Sequence, residues 1–125
     1  MARYLTVRAT GYIEAVRDDL ADMYAEEAGH RRLHRRITHH LRGGQGVAPE
    51  QLLTFVGSFD ASWRVQLQGV LDENDQDLKQ KLGAMVAARK KIAHGDGDQV
   101  TTSRALAWAD AALQIGSRLE AVFAS

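Results

Sequence analysis

Apolar residues recur along this chain at steps of three and four and nowhere alternate with period two, so the pattern predicts helices and no strands. In residues 3–27 the apolar line is Leu5, Ala9, Tyr12, Val16, Leu20 and Met23. Gly29 interrupts it, and a basic helix is predicted over 30–42 with Leu33, Ile37 and Leu41 as its buried side. Gly43, Gly44 and Gly46 then form a flexible connection. Pro49 suits the first position of the next helix, where its missing N–H costs nothing. That helix carries Leu52, Leu53, Val56 and Phe59, and the pattern extends it, bent near Gly57 and Ser58, through Trp63, Leu67 and Leu71.

The polar stretch 72–77 ends this segment, and its acids suit the start of a following helix, where the helix dipole favours negative charge. Over about 75–94 the sequence places Leu78, Leu82, Met85, Arg89 and Ile92 on one line and stops at Gly95, a favourable C-terminal glycine. Gly95, Asp96, Gly97 and Asp98 read as a turn; they lack the distant glutamate that a calcium loop requires. Thr101, Thr102 or Ser103 caps the last helix, whose line is Trp108, Ala112, Ile115, Leu119 and Val122. Trp63 and Trp108 fall on apolar lines and are expected in the core. The expectation is one all-α domain over 1–125, an up-and-down bundle of four to five helices.

Composition narrows the chemistry. The 125 residues include no cysteine, which removes disulfides, thiol nucleophiles and zinc-thiolate sites and fits a reducing cytoplasm. No apolar run approaches the roughly 18 residues of a membrane span, and no secretory signal is evident. Sixteen basic and sixteen acidic residues cancel, but they are segregated. Residues 30–42 hold five arginines and four histidines with no acid, whereas 14–27 hold six acids against Arg17 alone. Two readings are open for Arg31, Arg32, Arg35, Arg36 and Arg42: a solvated face paired with the acids of the first helix, or contacts to an RNA backbone. His30 and His34 have the i, i+4 spacing of a helical metal pair, but no third ligand is placed beside them, so neither metal nor cofactor is expected.

Candidate catalytic residues are Arg89 and His94. A histidine transfers protons near neutral pH, and an arginine offers a permanent charge and a planar fork for phosphate oxygens. The spacing alone is weak: roughly half such a pair arises by chance from these residue counts, and Arg35 with His40 is a second match. Position singles out Arg89 and His94, which close an amphipathic helix before a glycine. On an ideal helix the two are about 140° apart, so one chain aims them apart unless its last turn is distorted, whereas two copies packed about a two-fold axis could bring two such pairs into one cleft. The bland alternative is that these cations, with Lys90 and Lys91, simply complement the helix end.

The segment Ala88-Arg89-Lys90-Lys91-Ile92-Ala93-His94-Gly95 resembles the Arg, four residues, His motif of the HEPN superfamily, including its Ala-His-Gly ending before the final helix. The Tyr12-Ile13-Glu14 run resembles the opening helix of bacterial HEPN proteins, in particular the RiboL-PSP-HEPN branch. Lys90 stands where the family commonly has Asn, Asp or His. The resemblance implies a metal-independent endoribonuclease acting as a homodimer, with Arg89 and His94 catalytic and Lys90, Arg31, Arg35 and Arg36 available to bind RNA. It also implies a setting in prokaryotic defence or a toxin–antitoxin pair, with an antitoxin or other protein as partner. The alternative is a non-catalytic HEPN-like module that binds RNA, a nucleotide or a partner protein. Glu14 has two readings, orienting a site residue or standing exposed.

Overall fold

The structure, a computed structural model, describes residues 1–28, 46–96 and 100–125. These form four helices and no strand: α1 (Ala2–Ala28), α2 (Pro49–Gly57), α3 (Ala61–Ala93) and α4 (Thr102–Phe123). The all-helical bundle expected from the pattern is therefore observed. The basic helix expected over 30–42, the glycines at 43 and 44, and residues 97–99 lie outside the described residues.

α1 packs most extensively on α4 and less on α3. Its buried line is Thr6, Ala9, Thr10, Ile13, Arg17, Ala21 and Ala25, which corrects the line read from hydrophobicity. Only Ala9 belongs to both. Tyr12 and Met23 are exposed, and Val16 and Leu20 flank the core. The inward face is rotated by one residue: apart from Ile13 and Arg17 it is built from small side chains. Two of these are threonines whose hydroxyls need no outside partner: Thr6 donates to the Ala2 carbonyl at 2.9 Å and Thr10 to that of Val7 at 3.1 Å. Small residues let the two helices approach closely. At Gly116 of α4 a Cβ atom would come within 2.7 Å of the Tyr12 ring.

Arg17 is the other surprise on this face. Its side chain is almost fully buried; Nη1 donates to the Gly46 carbonyl at 3.1 Å and Nε to Asp18 at 3.0 Å. The guanidinium thus ties the chain just ahead of α2 to the middle of α1.

The predicted bend near Gly57 and Ser58 is a break between two helices. α2 ends at Gly57, and Asp60 caps α3, accepting from the Ser62 hydroxyl at 2.7 Å and its backbone N–H at 2.8 Å. Those bonds, the hydroxyl's first, favour the ionised carboxyl and hold it below its usual value of 3.8. Their stabilisation is present above the unfolded value and is lost as pH falls through the lower folded one. The Glu50–Arg64 ion pair at 2.6 Å joins the two helices.

The polar stretch 72–77 does break the helix, as its composition predicts. Glu73 is extended (ψ 147°), and Asn74, Asp75 and Gln76 are left-handed, with φ of 53°, 56° and 64°. Short polar Asn and Asp tolerate this conformation better than other side chains. The turn divides α3 into limbs 61–72 and 77–93. The first runs antiparallel to α4, with Trp63 4.7 Å from Phe123 and Glu73 paired to Arg118. The second lies beside Arg104 and Trp108 through Asp77, Lys81 and Ala84, and reaches α1 at Glu14.

One end of the bundle is closed by five aromatic rings from all four helices and the link between α2 and α3: Tyr24, Phe55, Phe59, Trp63 and Phe123. Edge-to-face contacts such as Tyr24 on Phe59, at 5.0 Å, add to their burial. The expected line of α4 is fully buried, and Trp63 and Trp108 are core residues. Thr101 is its cap, its hydroxyl accepting from the Arg104 N–H at 3.1 Å.

Candidate functional site

The second limb of α3 carries Arg89 and His94 to its C-terminal end. Leu78, Leu82, Met85 and Ala88 face the core, so Arg89 emerges at the edge of the buried stripe and His94 beyond it. The helix ends as its sequence predicts. His94 is the C-cap, and Gly95 takes a left-handed φ of 84°. The Gly95 N–H bonds the Ile92 carbonyl at 3.1 Å and that of Asp96 the Lys91 carbonyl at 2.7 Å, the two bonds of a Schellman motif. This seats the imidazole on an ordered turn. Gly95→Ala imposes a left-handed backbone on a residue with a Cβ and is expected to lower stability by about 1 kcal/mol. Thermal unfolding of the two proteins checks it; an unchanged midpoint would mean that the turn tolerates a side chain.

His94, Lys90 and Lys91 are all exposed. Arg89 is 41% exposed, and its Nη1 donates to Glu14 Oε1 of α1, whose side chain is 30% exposed. No hydrogen bond links Arg89 to His94 among the described residues. They are 140° apart on the helix and roughly 9 Å apart at their Cα atoms by ideal geometry. An ideal helix would aim the two side chains apart within one chain.

Of the residues nominated from sequence, the structure places Arg89, Lys90 and His94 together on one helix end. Arg31, Arg35 and Arg36, with His30, His34 and His40, lie outside the described residues. Glu14, for which two readings stood open, contacts the site. Its signal in the sequence was the Tyr-Ile-Glu run, but nothing in a linear pattern tells which helix a lone carboxylate meets. Among the described residues no three metal-ligating side chains cluster.

A groove of about 570 Å³ contains neither Arg89 nor His94. It lies between α1 and the end of α4, with Leu20, Met23 and Phe123 along its walls and Asp19, Glu27 and Glu120 around them. Three carboxylates repel a phosphate chain, so the groove is unsuited to RNA. The basic helix end of α3 has the right sign. None of the described helices is long and apolar enough to cross a membrane. No protein-family model matches the chain, and no match was found among curated proteins or solved structures.

Proposed function

We propose that this protein is a metal-independent endoribonuclease of HEPN type, with Arg89 and His94 from two copies of the chain forming one site. The observation that carries this reading is the Arg, four residues, His pair at a glycine-terminated helix end, both side chains reaching solvent. Because ideal helix geometry sets the two apart in one chain, two copies meeting at this end of α3 would supply a cleft with two arginines and two histidines. His94 takes the proton of an RNA 2′-hydroxyl as that oxygen bonds the adjacent phosphorus. Arg89 stabilises the charge that builds on the phosphate oxygens. The bond from phosphorus to the 5′-oxygen breaks, and that oxygen leaves with a proton from the second histidine. Lys90, and the arginines at 31, 35 and 36, contribute backbone attraction. The proposed setting is prokaryotic defence or a toxin–antitoxin pair in the cytoplasm, with a protein partner that restrains the enzyme.

The second reading is a non-catalytic HEPN-like module that binds RNA, a nucleotide or a protein. It draws on Lys90, which stands where the family commonly has a small polar residue, and on the Glu14 contact that occupies part of Arg89. One experiment separates the two. RNA incubated with the purified chain in EDTA is expected to yield a 2′,3′-cyclic phosphate and a 5′-hydroxyl, read by mass spectrometry. A single 2′-deoxy substitution at the cleaved position removes the internal nucleophile and leaves that bond intact. Binding without cleavage supports the second reading, and a 5′-phosphate product rules out the proposed chemistry.

A further inference from the structure

We propose that Glu14 is the positioning residue for Arg89: it grips one corner of the guanidinium across the α1–α3 contact and leaves the remaining donors for a phosphate oxygen. The inference rests on the ribonuclease reading of Arg89 and His94. Glu14–Arg89 is the one ion pair between α1 and α3 among the described residues, and it joins positions 75 apart in sequence. An arginine has five N–H donors in a rigid fork. Only Nη1 is engaged here, so Nε and Nη2 have no hydrogen-bond partner among the described residues. Both backbones are well held. Ile13, next to Glu14, is fully buried, and Arg89 follows Ala88 and Met85, which face the core.

Without Glu14, a side chain 41% exposed samples many rotamers and must be ordered anew each time a phosphate arrives. With it, the fork is fixed before substrate binds, which favours the transition state over a loosely held ground state. The carboxylate also offsets part of the arginine's charge, so it weakens general attraction to RNA. The two effects have opposite signs, and that makes the role testable. A contact serving only to hold the helices together would not separate turnover from binding in this way.

The experiment compares wild type, Glu14→Ala and Glu14→Gln by steady-state cleavage of one RNA and by NMR relaxation of the Arg89 Nε–H group, with inorganic phosphate as a probe ligand. Glu14→Ala is expected to lower kcat about tenfold or more while KM stays level or falls. Glu14→Gln, which keeps an acceptor without the charge, recovers part of kcat. The Arg89 signal is expected to be ordered in wild type and Glu14→Gln and averaged in Glu14→Ala. Phosphate is expected to shift it in wild type without freeing Glu14. Unchanged or raised kcat in Glu14→Ala overturns the proposal, because the carboxylate would then be idle or a competitor of the phosphate. An Arg89 signal as ordered in Glu14→Ala as in wild type overturns it too, and that readout holds even where wild type cleaves nothing. Inactive wild type counts against the ribonuclease reading; the positioning role then holds only where phosphate shifts the Arg89 signal in wild type and less in Glu14→Ala, and an equal shift in both overturns it.

Discussion

His94→Ala and Arg89→Ala are each expected to abolish RNA cleavage while the bundle stays folded. Loss of a group that moves a proton in the transition state lowers turnover by about 10²–10⁴, and loss of a charge aimed at the reacting phosphate by about 10²–10³. Either loss leaves cleavage near background. Neither change reaches the core. His94 is exposed at the helix cap, and Arg89, 41% exposed, has one ion pair whose value at such a surface is under about 1 kcal/mol. The two variants therefore separate activity from stability in one comparison of cleavage rate with circular dichroism. Arg35→Ala or His40→Ala, the other match to the same spacing, is expected only to weaken RNA binding, with a shallower dependence on salt and a deficit that shrinks as salt rises. If that second pair proves essential and the first dispensable, the assignment of the site to the end of α3 is wrong.

Arg17→Ala is expected to have the largest effect on stability, about 2–4 kcal/mol, with no direct part in cleavage. Its buried stem fills space beside Ile13 and Ala21, and truncation leaves a cavity. It also strips the half-buried Gly46 carbonyl of its donor, a loss of about 1 kcal/mol where water can partly take the donor's place. Asp18, 45% exposed, simply turns to water. Arg17→Lys restores charge but not a planar fork able to meet Asp18 and Gly46 together, so it recovers only part of the loss. Urea unfolding of the three proteins checks the order wild type, Arg17→Lys, Arg17→Ala. An Arg17→Ala midpoint equal to wild type would show that the guanidinium is dispensable packing.

The helix content was legible because long apolar lines with glycine, proline and threonine punctuation leave little choice of period. α4 matches its expected line residue for residue, and Gly95 and Thr101 end and start helices where their chemistry says. α1 was misread for a physical reason. Apart from Ile13, its inner face is Thr6, Ala9, Thr10, Arg17, Ala21 and Ala25, small or polar residues that hydrophobicity ranks below Leu5 and Met23. What buries them is close approach and satisfied hydrogen bonding, which a one-dimensional pattern does not carry. The site divides in the same way. Arg89 and His94 are neighbours on one helix and could be nominated from spacing, whereas the Glu14 contact exists only because α1 crosses the end of α3.

The Tyr12 ring against Gly116 bears on how this protein's relatives would be recognised. A Cβ at 116 would press on the ring, so a relative with alanine or serine at 116 is expected to carry a smaller or displaced residue at 12. Arginine and histidine five apart arise readily by chance, in this chain as in any other rich in both. A size-matched pair joining the first and last helices would be a second criterion, independent of that spacing.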